Sequence, residues 1–194
     1  HYIFAGDSFQ INLAQRLESE IECDELMLYE KLMQTNPAPF SGFLKLKGSA
    51  ILCSSPERLV KLENGIASTR PIGGTRPRGK NSVEDMQLAK ELLNNEKELA
   101  EHTMLVDLER NDLGRVCSPG TIKVNELMKI EKYSRVMHIV SNIQGRLDKK
   151  LDCLDLLTAM FPGGTITGCP KIRTMEIIDE IEPNSRSAYC GCLG

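Results

Sequence analysis

The chain is 194 residues long, enough for one large domain or two small ones and for a real apolar core. Its 41% hydrophobic and 26% charged residues argue against general disorder, and 24 Lys+Arg against 27 Asp+Glu leave a net charge of −3, which gives no bulk attraction toward nucleic acid or an anionic membrane. No apolar run reaches the roughly 18 residues of a membrane span.

The seven cysteines are odd in number and stand mostly singly in apolar stretches, so unpaired thiols in a reducing, cytoplasmic setting are expected. Cys190-x-Cys192 is the only close pair, and no histidine stands beside it to complete a zinc spacing. There is no internal repeat. His1–Ala5 reads as the last turn of a helix closed by Gly6, and Ser187–Gly194 reads as the middle of a strand, so both ends look internal to a longer polypeptide.

Phe9, Ile11 and Leu13 alternate with Gln10, Asn12 and Ala14, the period of a half-buried strand. Glu25–Gln34 reads as a helix stopped by Asn36-Pro37-Ala38-Pro39. Short strands follow at Gly42–Leu46, Ala50–Ser54, Arg58–Leu62 and Ile66–Arg70, with Lys47-Gly48 and Asn64-Gly65 at the joints as hairpin signals. Pro71–Lys80, with two prolines and three glycines, is expected to be irregular. Helices are expected at Val83–Asn94 and Lys97–Val116, strands at Ile122–Ile130 and Met137–Leu147, and further helices at Leu154–Met160 and Ile172–Ile181, the last with Pro170 at its start. Strands segregated early and then mixed with helices favour an α+β fold over a regular βαβ repeat.

Five places could carry chemistry. In Pro71–Lys80, Gly73, Gly74 and Thr75 allow close backbone approach and Arg76 and Arg78 add positive charge, which suits a carboxylate or phosphate; the bland alternative is a solvated turn. Glu98 and Glu101 share a helix face and could hold Mg²⁺, although Asn95-x-x-Glu98 also has the form of a capping box. Phe161–Lys171 is glycine-rich and leads into a helix N-terminus, either an anion site or a tight loop. His138 lies in an apolar strand, where a satisfied core histidine competes with a catalytic one. Glu57 follows Ser54-Ser55-Pro56 at a strand head, where burial would turn a solvated carboxylate into a usable acid.

In order, GDSFQINLAQR, SSPERLV, TRPIGGTRPRG, NEKELAEHTMLVDLERNDLGRV, EKYSRVMHIVSNIQGRL and FPGGTITGCPKIRTMEIIDEIEP resemble the chorismate-utilising enzymes, which include anthranilate synthase component I, aminodeoxychorismate synthase component I, isochorismate synthase and salicylate synthase. The resemblance covers essentially the whole chain. It implies an α+β sandwich of large antiparallel sheets flanked by helices. Residues 1–194 would form part of a single chorismate-binding catalytic domain, with the N-terminal region and C-terminal end of the parent outside them.

The resemblance also implies roles. Glu57 would protonate the departing C4 hydroxyl of chorismate. Gly74 and Thr75 would hold the ring carboxylate, and Glu98 and Glu101 would ligate Mg²⁺, against the capping reading. His138 would lie near the reacting ring, Thr165 in the loop closing over substrate, and Tyr189 near the enolpyruvyl carboxylate. Gln10 stands where water-adding members carry a lysine base, which argues for a nitrogen nucleophile. FPGGTITG, Glu109 and Asn12 lean toward amination of chorismate to 4-amino-4-deoxychorismate, with ammonia from a glutamine amidotransferase partner. Gly73 leans toward anthranilate synthesis instead, because many aminodeoxychorismate synthases carry lysine there. A chorismate- or partner-binding fragment without turnover is the non-enzymatic alternative. No nucleic-acid or membrane partner is implied.

Overall fold

One central strand organises the molecule. In the computed structural model, which describes residues 1–194, β8 (Val136–Arg146) runs through the interior with every residue from Met137 to Ile143 buried. Its run VMHIVSNI is apolar and rich in β-branched residues, which suits a strand covered on both faces. On one edge it pairs with β7 (Lys123–Lys132); along the other it pairs first with β6 (Ile72–Pro77) and then with β5 (Ile66–Thr69). The hairpin partner of β5, β4 (Lys61–Glu63), completes a five-stranded antiparallel sheet.

β5 and β6 are in effect one strand broken at Arg70-Pro71. Residues 66–69 face 146–143 and residues 72–77 face 140–136 in the same antiparallel sense. The irregularity expected for Pro71–Lys80 is therefore only partly present. Pro71 sits in the break, where it needs no N–H for the ladder, Pro77 ends the strand, and a bulge between Gly73 and Thr75 absorbs the glycine pair. Gly74 takes φ +60° there, a conformation that disfavours side chains.

α3 (Ser82–Leu93) and α4 (Glu96–Gly114) cover the sheet. Asn81 and Asn95 cap them, accepting from the N–H of Val83 and Glu84 and of Glu98 respectively. The main core joins Val106 and Leu113 of α4 to Ala67, Ile143, and Leu156, Ala159 and Met160 of α5 (Cys153–Met160). A smaller cluster joins Leu92 to Met137 and Ile139. The two turns expected at Lys47-Gly48 and Asn64-Gly65 are present, the first joining β2 (Phe40–Leu46) to β3 (Ser49–Ser55) in a separate two-stranded sheet. Against that hairpin packs α2 (Glu25–Thr35), with the Tyr29 and Phe43 rings 5.5 Å apart.

The chain begins with a single helical turn, α1 (Tyr2–Ala5), closed by Gly6 at φ 82°. The strand expected over Phe9–Ala14 shrinks to β1 (Gln10–Ile11). Phe9 and Leu13 are exposed rather than buried, because the partner segment is short: β9 (Gly168–Cys169) pairs with Gln10 and Ile11, and the flanking Phe9 and Asn12 N–H groups reach only Cys169 and Thr167. Between α5 and β9 lies α6 (Gly164–Thr167), and α7 (Lys171–Ile181) follows Pro170. The strand expected at Ser187–Gly194 is absent: Ser187 and Cys190 both take positive φ, which no strand accommodates. All seven cysteines are free, and no helix is long and apolar enough to cross a membrane.

Candidate active site

The break between β5 and β6 holds the first part of the site. Glu57 lies in the segment between β3 and β4, not at a strand head, and its Oε1 accepts the N–H of Ile72 at 3.4 Å. The Thr165 hydroxyl of α6 lies against the same carboxyl. Burial is the main cause that raises the Glu57 carboxyl, to about 8, with the nearby Glu109 carboxyl adding to it. Glu57 is thus a protonated acid at neutral pH.

Farther along β6, Thr75 Oγ1 and His138 Nδ1 are 2.9 Å apart across the β6–β8 pair. Burial holds the His138 imidazole below its usual value, so it is neutral near pH 7. Ile72 and Thr75 are separated by about 10 Å of strand, so the acid and the imidazole each meet the same short stretch of β6.

Glu98 meets the bulge. Its Oε1 accepts from Arg76 Nη1 at 2.7 Å, and its Oε2 turns so closely toward Gly74 that a Cβ there would overlap it. Glu98 therefore does not close the capping box; Asn95 caps alone, and its own N–H goes to Leu92. The neighbouring Gly73 is equally confined, because a Cβ on it would overlap Nδ1 of His102. His102 is fully buried, its Nε2 lies 2.7 Å from Ser141 Oγ, and burial lowers it to about 4, so the ring is neutral.

Two clefts gather the other expected site residues, and neither is lined by Glu57, Thr75, Glu98 or His138. The larger, about 870 Å³, is lined by Gln10, Glu101, Asp112 and Lys171 among others. Gln10 donates from Nε2 to Asn12 Oδ1 at 3.3 Å, while its Oε1 is buried without a partner. Phe9 lines the same cleft. The smaller, about 570 Å³, brings Thr165 and Tyr189 together with Asn12 and Arg186. Arg186 donates to the carbonyls of Asn12 (2.6 Å) and Ile166 (2.8 Å) and to Glu182. It ties β1 to α6, a function its place near the chain end did not suggest.

For a divalent cation the donor set is two carboxylates one turn apart. Glu98 Oε2 faces the glycine bulge, and Glu101 is 43% exposed in its side chain beside Lys97. No third acidic, histidine or cysteine ligand joins them. Carboxylate oxygens are the donor type Mg²⁺ takes, commonly one or two with water and substrate oxygens in the remaining positions; here Glu98 is paired with Arg76 and Glu101 with Lys97.

Glu109 and His102 carry more of the site than the sequence reading gave them. Both lie on the inward stripe of α4 with Leu105, Val106 and Leu113, at i, i+3, i+4, i+7 and i+11 from His102. Polar residues among the buried positions of α4, with Asp112 as a third, are the available sequence signal.

Comparison with known proteins agrees with the geometry. The profile of the chorismate binding enzymes matches residues 1–194. Aminodeoxychorismate synthase component 1 of Bacillus subtilis is 54% identical over 193 residues, 100% of this chain and 41% of the relative. Anthranilate synthase component 1 of Synechocystis is also 54% identical, over 198 residues, 100% of this chain and 39% of the relative. The crystal structure of anthranilate synthase component I from Streptococcus pneumoniae superposes with a TM-score of 0.87 at 41% identity, covering 95% of this chain and 40% of that one. The chain spans about two fifths of the length of these relatives. A match that runs from the first residue to the last, on a fold shared at this level, places the chain in the chorismate binding enzyme family.

Proposed function

We propose that the full-length protein aminates chorismate to 4-amino-4-deoxychorismate, using Mg²⁺ and ammonia supplied by a glutamine amidotransferase subunit or domain. The observation that carries this reading is Glu57, a buried carboxyl raised to about 8 beside the Thr165 loop. A hydroxyl leaves an allylic carbon poorly as hydroxide and readily as water. A protonated carboxyl held out of solvent supplies that proton at neutral pH. As the C4–O bond breaks, the oxygen departs as water with the Glu57 proton. Ammonia forms the new C–N bond and sheds a proton, which restores Glu57, so one ammonia enters and one water leaves.

Gln10 supports a nitrogen nucleophile. Its amide can orient ammonia but has no basic form near neutral pH with which to deprotonate water. Neutral His138, positioned by Thr75, can hydrogen-bond a ring substituent without adding charge. Glu98 and Glu101 would hold Mg²⁺, which when bound neutralises a substrate carboxylate.

Gly73 favours a second reading, amination at C2 followed by loss of pyruvate to give anthranilate. Many aminodeoxychorismate synthases carry lysine at this position, and here His102 fills the space beside the Gly73 Cα. The full-length protein incubated with chorismate, Mg²⁺ and an ammonium salt separates the two. 4-Amino-4-deoxychorismate as the main product supports the first reading, fluorescent anthranilate supports the second, and no consumption of chorismate removes both.

A further inference from the structure

Glu109 occupies a helix position that packing alone would fill with an apolar side chain. It is 3% exposed, and its Oε2 has no hydrogen-bond partner. Oε1 lies 3.5 Å from where a Cβ of Gly164 would stand, and the Gly164 backbone N–H faces the carboxyl. Thr69 faces it from the other side, at the end of β5. The Thr69 hydroxyl donates to the Leu59 carbonyl at 2.9 Å, and the contacts of Thr69 and the Gly164 N–H lower the Glu109 carboxyl by less than burial raises it.

The charged neighbours oppose each other: Asp112 raises the Glu109 carboxyl and Lys171 lowers it. Lys171, the cation facing Glu109, pairs with Asp112 and gives a further hydrogen bond to the Met160 carbonyl at 3.1 Å. Asp112, also on α4, and Glu57, from the segment before β4, add negative charge. Arg58, next to Glu57 in sequence, turns toward Ser68 at 3.3 Å.

The two carboxyls thus share one slot. Glu57 meets Ile72 and Thr165; Glu109 meets Thr69 and Gly164. They span the two ends of the β5–β6 break on one side and two consecutive residues of α6 on the other. We propose that Glu109 is a positioning residue for Glu57: it completes a buried carboxyl pair that grips the Thr165 loop and keeps Glu57 in its acid form, without itself touching substrate. This rests on Glu57 being the acid of the proposed reaction. Burial raises Glu109 to about 7 and Glu57 to about 8, with the Glu109 charge adding to the rise of Glu57, and two buried carboxyls that influence each other titrate as a pair.

The test uses the full-length protein with ¹³C-carboxyl-labelled glutamate, followed by difference infrared titration without substrate and by the pH profile of kcat/KM. In Glu109→Gln the Glu57 midpoint moves to lower pH, and the alkaline limb of the profile moves with it. Glu109→Met, which keeps an apolar filling of the slot, gives the same shift if the amide variant folds poorly. The reciprocal Glu57→Gln lowers the Glu109 midpoint. An unmoved Glu57 midpoint in both Glu109 variants overturns the inference whatever the activity does. A moved midpoint with an unmoved alkaline limb upholds the carboxyl pair and overturns Glu57 as the acid.

Discussion

Replacing Glu57 with Gln separates the two consequences of burying a carboxyl. The group rises from 4.5 to about 8 on folding, so the native state binds its proton more tightly than the unfolded chain does. Stability from this group is fully present below about 4.5 and is lost as pH rises through about 8. At roughly 1.4 kcal/mol per pH unit, the loss is about 3 kcal/mol at pH 7 and about 5 kcal/mol once the carboxyl ionises, both upper figures because the slot can relax. Gln keeps the shape and the acceptor for the Ile72 N–H and does not titrate. The Glu57→Gln variant should match the parent near pH 4 and exceed it increasingly toward pH 9 in urea unfolding of the full-length protein. In the same variant kcat should fall by about 10²–10⁴, the usual contribution of a general acid. Gain of stability with loss of turnover is the signature of a group kept for chemistry. A variant whose stability follows the parental pH slope would refute the buried-acid account, and one that retained turnover would refute its catalytic role.

Three other perturbations follow from the geometry around the bulge. Gly74→Ala places a side chain at φ +60° and against Glu98 and Leu92; thermal unfolding should show a loss of about 1–3 kcal/mol. Glu101→Ala removes a side chain that is 43% exposed, so unfolding should change by less than about 0.5 kcal/mol while turnover and its Mg²⁺ dependence fall by orders of magnitude; unchanged Mg²⁺ dependence would remove Glu101 as a ligand. Gln10→Lys should slow amination and let some water attack, read by chromatography as isochorismate formed with and without ammonium; a parent enzyme that already makes isochorismate as readily would show that Gln10 does not select the nucleophile.

Local signals located most elements to within a few residues. The Asn64-Gly65 turn, the Asn81 and Asn95 caps and the Pro170 start each act through their immediate neighbours, so their effect is visible in the sequence. The misses are non-local. Pro71–Lys80 has the composition of a loop, yet β8 supplies a ladder that accepts Ile72–Pro77 because the prolines fall where no N–H is needed. Phe9 and Leu13 have a strand's alternation without a partner long enough to bury them. For the site, spacing could put Glu98 and Glu101 on one face, but the side chain that claims Glu98 is Arg76, twenty-two positions earlier. Beyond its place in the resemblance, Glu109 was legible only as an acidic residue among the inward positions of α4; the slot it shares with Glu57 is built by β5, β6 and α6 together.

The position of this slot has a physical reason. An unbroken strand from Ile66 to Pro77 would commit alternate backbone groups to β8 along its whole length. Pro71 interrupts the ladder and the bulge at Gly74 reopens it, which lets the Ile72 N–H reach Glu57 and brings Gly74 against Glu98. Four buried side-chain atoms lack partners: Gln10 Oε1, Arg58 Nε, His102 Nδ1 and Glu109 Oε2. His102 packs on Gly73, Glu109 on Gly164, Arg58 adjoins Glu57, and Gln10 pairs with the strand that leaves α6. Each such atom costs about 1–3 kcal/mol in a packed interior, so an apolar filling of the same volume would be more stable. The apolar core between α4, α5 and β8, with Leu113, Ile143, Leu156 and Met160 almost wholly buried, carries that load a few residues away. The same helix supplies both halves: Leu113 and Val106 anchor α4 to the sheet, and that anchoring fixes Glu98, His102 and Glu109 against the broken strand.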